Sequence, residues 1–528
     1  MVMKRSGSAA LVAAALALGA APRSAGAFCG FYVGGAGAKL YNHATEVVLM
    51  RHGSTTVLSM RNNYDGPLED FAMVVPVPRV IKRDQVKTLP RAIFDKVDTL
   101  GAPRLVEYWE LDPCHAGDID FADDINAGAA MPETIMVRTG GGGRGRDYHV
   151  KVEAHFSVGE YDIEVLSATE SIGLDQWLRD HHYAIPAGAE PLLRPYIEQG
   201  TKWFVARVDP KKVAIDPQTK MATLSPLRFA YDSPELALPI RLGLASSPGT
   251  QDLIVNILAP GDTRYEVANY PNVTIPTNVE VKDAVRTRFG EFYAALFDRV
   301  IAAHPGAVVT EYAWAAGSCD PCPGPTLDGN DLATLGADVL AKSYREVSGF
   351  TLTRLHARYG TEIGQDLVFR AVDPIEGGRG FPDEHGLIGG EGFVHGDSNN
   401  FQGRYVILHH WDEPIACESP MRNRWVQTSA EAHGGGYRAP AASQIATNTA
   451  FAPRGKLELA AMLVHGDWPV PDARPTQSTP IHPPIAPPRP PEACGGGCAA
   501  DGASGAAGAL GALAVGAIVL RRRRRAPR

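Results

Sequence analysis

Short apolar-rich runs between turn residues dominate the first half of this chain, and two of its segments alternate strictly, the period-two pattern of strands with one buried face. Residues 45–50, 56–61 and 71–77 are rich in Val, Met and Phe. The turn residues His52-Gly53-Ser54 and Asn63-Tyr64-Asp65-Gly66 separate them, so they predict a three-stranded meander. Strict alternation over 149–156 and again over 161–166 predicts a half-buried hairpin turning at Gly159-Glu160. Helical periodicity is rarer and falls on 90–100, 174–181, 190–199 and 283–303. In the last of these Val285, Phe289, Phe292, Tyr293, Leu296, Phe297 and Val300 share one face, which is core spacing. Further strands are expected at 308–314, 350–359, 366–372, 405–409 and 457–464. No repeat of fixed period is present, and the pattern predicts a β-rich α+β body of antiparallel sheets with a few helices.

The two ends carry a different pattern. A basic start at Lys4 and Arg5 is followed by an apolar run of 13 residues, 9–21, and by the small residues Ala25, Gly26 and Ala27. This is the form of a secretory signal peptide cleaved after Ala27, its apolar run too short for a permanent span. Phe28 separates the cleavage site from Cys29, which argues against N-terminal lipidation. At the other end Cys494 and Cys498 flank three glycines, a 19-residue uncharged run covers 502–520, and five arginines follow from Arg521 to Arg525. Such a run can cross a membrane weakly, with its arginines on the cytoplasmic side and the body outside.

This tripartite tail resembles the myxobacterial-type C-terminal sorting signal. The resemblance implies that Cys494 or Cys498 is lipidated and that the segment after it is removed, which would leave the body on the outer surface. The implied partners are the membrane, a signal peptidase and a sorting protease.

Between the ends, residues 28–468 form the expected ectodomain, with material for one large core or two ordinary ones. Residues 469–493 hold ten prolines and predict an extended polyproline spacer. The formal charge of the whole chain is −8. Without residues 1–27 and the tail it becomes 42 basic against 58 acidic residues, or −16. That balance argues against nucleic acid as a partner.

The start Phe28-Cys29-Gly30-Phe31-Tyr32-Val33, the run Phe71-Ala72-Met73-Val74-Val75-Pro76-Val77-Pro78, Leu174-Asp175-Gln176-Trp177-Leu178 leading to Tyr183-Ala184-Ile185-Pro186, and Leu227-Arg228-Phe229 before Tyr231 resemble the bacterial family of domain of unknown function 2330. The resemblance covers about residues 28–370. It implies a domain extent and no chemistry, since the family carries no assigned activity.

The candidate chemistry is sparse. Cys319-Asp320-Pro321-Cys322 has redox spacing, but Pro323-Gly324-Pro325 forbids the helix start that lowers a thioredoxin-like thiol pKa, so a structural disulfide is the expected state. With Cys29, Cys114 and Cys417 there are five cysteines outside the tail, an odd number whose pairing the sequence leaves open. His385, Glu391 and His395 sit in the glycine-rich segment 377–396 as candidate metal ligands without a zinc spacing. His181-His182 and His409-His410 are adjacent pairs, and strand neighbours such as the latter face opposite ways. The acidic stretch Asp118, Asp120, Asp123, Asp124 lacks the glycine and terminal glutamate of a calcium loop. The run 140–146 opens no helix and reads as a surface loop. No metal, cofactor or catalytic set is expected. The favoured expectation is a non-enzymatic surface protein that binds a partner or builds the envelope. The alternative is an envelope hydrolase or thiol oxidoreductase with an unrecognised site.

Overall fold

The computed structural model describes residues 31–34, 41–65, 71–114, 149–181, 183, 189–215, 222–246, 250–340, 349–360, 362–389, 392–434, 442–447, 449 and 457–465. Outside them lie the signal segment, the proline-rich stretch and the tail with Cys494 and Cys498. Cys29, His182, Glu391, the acidic stretch 118–124 and the glycine run 140–146 are outside as well. Among the described residues no helix is long and apolar enough to cross a membrane.

The body is β-rich α+β, as the pattern predicts, but its sheets are mixed rather than purely antiparallel. The largest has eleven strands. Its centre is the hairpin Tyr41–His52 with Thr55–Asp65, turned at Gly53 where φ is +60°, and the strands Gln251–Pro260, Phe350–Tyr359 and Val308–Ala315. Gln251–Pro260 pairs with Tyr41–His52 in parallel, whereas the other central pairings are antiparallel. A second sheet of five strands holds Phe71–Val77 between Phe31–Gly34 and Lys202–Val208, and continues to Tyr161–Ala168 and Val150–Val158. The predicted hairpin over 149–166 is present. The predicted meander is not, because Phe71–Val77 leaves the first two strands for the other sheet. Both of its faces are apolar, so it suits a layer covered on each side, and period-two patterning fixes faces but not partners.

Alternation along Tyr41–His52 explains the layering. Val47 and Leu49 point into the core between the two sheets, with Met73, Val75, Val165 and Phe204 opposite. Val48 and Met50 point the other way, onto Ile93, Phe94, Val97 and Leu100 of the helix Ala92–Gly101. On the outer face of the five-stranded sheet, Leu174, Trp177 and Leu193 of the helices Ser171–Asp180 and Glu190–Glu198 cover Val74, Leu166 and Trp203.

The segment 283–303 buries the whole predicted face but is two elements, a 3-10 turn Asp283–Val285 and the helix Phe289–Ala303. Between them Arg286 turns its guanidinium to Glu107. The expected strand over 457–464 is a short helix, Leu459–Met462. Its Leu-Ala-Ala-Met sequence carries helix formers and no β-branched residue, and these outweigh the apolar run.

A further sheet has Arg104–Glu110 at its middle. Arg404–His409 lies parallel to it, Arg104 opposite Arg404 and Trp109 opposite His409, and Trp425–Val426 lies antiparallel on the other side. Among the described residues two disulfides are formed, Cys114–Cys417 across 303 residues and Cys319–Cys322 across three.

Candidate functional sites: a buried charge belt and an aromatic face

Charged side chains cross the middle of the large sheet on the face that carries the helices. Arg61 and Glu46 are opposite each other and ion-paired at 2.5 Å, and Asn256 donates to Glu46 at 2.9 Å. One strand further, Arg354 donates through Nε to Glu311 at 2.7 Å and through Nη1 to Asp98 at 2.6 Å. Glu311 also receives the Tyr293 hydroxyl and sits 2.7 Å from His356 Nδ1. The His356 ring is stacked on Phe297 at 3.6 Å, and Arg358 joins Asp252 and Asp298. The helices that cover this face supply Asp98, Tyr293 and Phe297.

Burial decides what the belt can do. Glu311, Arg354 and His356 are completely buried and Glu46 is 2% exposed. Burial pushes Glu46 up to about 7 despite Arg61 beside it. At Glu311 burial acts upward too, but His356 and Arg354 outweigh it and hold the carboxyl down at about 2. Burial alone would lower Arg354, yet Asp98, Glu311 and Glu46 raise it above its ordinary value. Perturbed groups of this kind mark active sites as well as structural ion-pair networks. Glu311, Glu46 and Asp98 are closed off from solvent and tie the sheet to its helices, while Asp298, at the Arg358 end of the belt, is partly exposed.

The accessible chemistry lies at the sheet centred on Arg104–Glu110. Apolar Val106, Tyr108 and Val406 form a small cluster on one of its faces, with Ile388, Leu408 and Trp425 against it. Phe381 packs on Tyr108 with ring centroids 5.0 Å apart, His410 meets Trp425 edge-on at 5.0 Å, and Trp411 lies against His433 at 5.2 Å. The loops over this face leave Phe381 50%, Leu387 56% and Met421 45% exposed. Large apolar side chains clustered in this way, unlike scattered ones, mark interaction surfaces.

The loop 410–424 is held firmly. Glu110, its carboxylate fully buried, accepts two bonds from Arg422 at 2.7 and 2.8 Å, one from the Asn423 N–H and one from the Trp411 N–H. Burial would raise Glu110, but these donors outweigh it and keep the group ionised below the usual carboxylate range. The Cys114–Cys417 disulfide then staples the same loop to the chain just beyond Glu110. On the sheet's opposite face His409 stacks on Trp109 at 4.8 Å and reaches Glu107 at 2.7 Å, where Arg286 also binds.

His385 and His395 have separate neighbours. His385 is exposed beside Glu384, and His395 lies on the edge strand Val394–His395 against Phe393. Among the described residues no three His, Cys, Asp or Glu side chains are placed to hold a metal ion. His409 and His410 take different partners, Glu107 and Glu110, in keeping with opposite strand faces. Sequence reading passed over both the belt and the face. The one signal for the belt was a charge inside an apolar strand run, such as Glu46 before Val47-Val48-Leu49. Tyr108, Phe381 and Trp425 stand too far apart in the chain to be read as a group.

Residues 23–370 match the family described as uncharacterized protein conserved in bacteria, domain of unknown function 2330. No curated protein and no solved structure matches the chain.

Proposed function

This chain belongs to the bacterial family of domain of unknown function 2330, and we propose that it is an exported, envelope-anchored protein that binds a partner through its aromatic face. The observation that carries the reading is that face itself: Phe381, Tyr108, Trp411 and Trp425 with exposed Leu387 and Met421, where Glu110 and a disulfide fix the loop that carries Trp411 and Met421. Aromatic anchors on a rigid support lose little conformational freedom on binding, which is what a docking surface needs. The two carboxyls of the belt that are pushed furthest from their ordinary values, Glu46 and Glu311, are buried, so that part of the fold lends the alternative, an envelope enzyme, no support. Two disulfides favour an oxidising compartment, in keeping with a signal segment cut after Ala27 and a lipid-bearing Cys494 or Cys498.

The test joins location to binding. The surface-extracted protein should begin at Phe28 and lack Arg521 to Arg525, and its body should be retained on purified cell envelopes. Phe381→Ser with Leu387→Ser, both at exposed positions, should reduce that retention about tenfold with an unchanged melting curve. Equal retention of both forms would remove the aromatic face from the function, and a protein beginning at Met1 would remove export.

A further inference from the structure

Cys319 and Cys322 close a loop that leaves the strand Val308–Ala315, and the loop keeps its shape through bonds other than the disulfide. Pro321 O accepts from Arg104 Nη1 at 2.9 Å, and Asp320 O accepts from Gln402 Nε2 at 2.6 Å. Ser318 O accepts the Tyr312 hydroxyl, and Leu327 N donates to Ala316 O at 3.0 Å. None of the four uses a cysteine side chain, so opening the S–S bond breaks none of them directly. The two sulfurs then stay side by side at high effective concentration, ready to close again.

The loop also sits among cations. Arg104 is completely buried and Arg404 is 2% exposed, and among the described residues every hydrogen-bond partner of either is neutral: the Leu100, Ala102, Pro321 and Gly380 carbonyls, Asn278 and the Tyr108 hydroxyl. Arg379 lies over the Trp314 ring at 4.9 Å and pairs with Asp320, the single carboxylate of the group, at 3.4 Å. Three guanidinium groups therefore face one carboxylate around the cysteines. This positive surplus favours a thiolate, the service that a helix N-terminus gives in thioredoxin-like sites and that Pro323-Gly324-Pro325 rules out here.

We infer that Cys319 and Cys322 are a reversible dithiol–disulfide couple that exchanges two electrons with a protein dithiol. Cys322 is exposed, while Cys319 is half-buried against the apolar cluster of Tyr312 and Trp314. The partner's thiolate attacks Cys322 Sγ, the Cys319–Cys322 bond breaks, and Cys319 departs as a thiolate. The partner's second thiolate then attacks its own sulfur in the mixed disulfide and releases Cys322. Both released thiolates take up protons. The partner ends as a disulfide and this chain as two thiols, and the reverse sequence reduces a partner disulfide. The couple adjoins the aromatic face through Arg404, which bonds the Tyr108 hydroxyl and the Gly380 carbonyl, but its chemistry does not depend on what that face binds.

The experiment titrates the full-length protein in glutathione buffers of rising reduced-to-oxidised ratio, quenches with an alkylating reagent and maps each cysteine by mass. Cys319–Cys322 should open at a ratio at least tenfold lower than Cys114–Cys417 and close again on reoxidation, with the melting curve unchanged. The Cys319→Ser variant, given oxidised glutathione, should collect the adduct on Cys322, and Cys322→Ser should collect less than a tenth as much on Cys319. A bridge that resists until Cys114–Cys417 opens or the protein unfolds overturns the couple. Equal adducts on the two variants overturn Cys322 as the sulfur attacked.

Discussion

Glu46 is the residue whose surroundings speak most directly to stability. In the folded chain its carboxyl is raised to about 7 from an ordinary 4.5. Between those values the folded state holds a proton that the unfolded state has released, so stability falls as pH climbs through that window. Glu311 acts in the opposite sense: held at about 2, it contributes stability above 4.5 that is lost as pH falls toward 2. Glu46→Gln should therefore flatten the decline between pH 4.5 and 7 and leave the acid limb intact, as read from urea unfolding at a series of pH values. A variant that keeps the wild-type slope would assign the decline to another group. Little of this is legible in the sequence, because a charge inside an apolar strand signals a buried group but does not show its partners. Arg354 is near Asp98 only because a helix formed from residues 92–101 folds across a strand formed from 350–359.

At the scale of elements, period and composition located most strands and helices, since alternation and i, i+3, i+4 spacing are local properties of the chain. They failed where the outcome depended on something non-local. Phe71–Val77 was found as a strand but given the wrong sheet, and 283–303 was read through the break where Arg286 answers Glu107. The glycine-rich segment 377–396 was read for ligands, whereas part of its glycine content serves packing. Gly378 has φ +73°, and a Cβ there would lie 2.0 Å from the Gln402 carbonyl oxygen. Gly53 has a similar φ of +60° but nothing within 4 Å. Gly378→Ala should destabilise the protein by about 2–4 kcal/mol, and Gly53→Ala by about 1 kcal/mol from backbone strain alone. Denaturant midpoints of the two variants compare them directly. Equal losses would mean that the contact with Gln402 relaxes without effort.

For the molecule as a whole, the family match and the fold do not share a boundary. The match ends at residue 370, yet Arg104–Glu110, well inside it, takes Arg404–His409 and Trp425–Val426 as its neighbours. Phe401, Tyr405 and Ile407 also pack under the helix Phe289–Ala303. A chain spanning 28–370 would bare that helix and leave the strand unpaired on both sides. We expect it to aggregate and to lose a cooperative melt, whereas a soluble fragment with a sharp transition would make the later residues an independent addition. The parallel pairing of Arg104 with Arg404 also sets a clock. At synthesis rates of about 5–20 residues per second, roughly 15–60 s pass between the appearance of the first strand and that of its partner. By the end of that interval a nearly complete body waits with a bare strand edge, the form in which chains join one another. The order in which the strands are made thus keeps that edge open until almost the whole body has emerged.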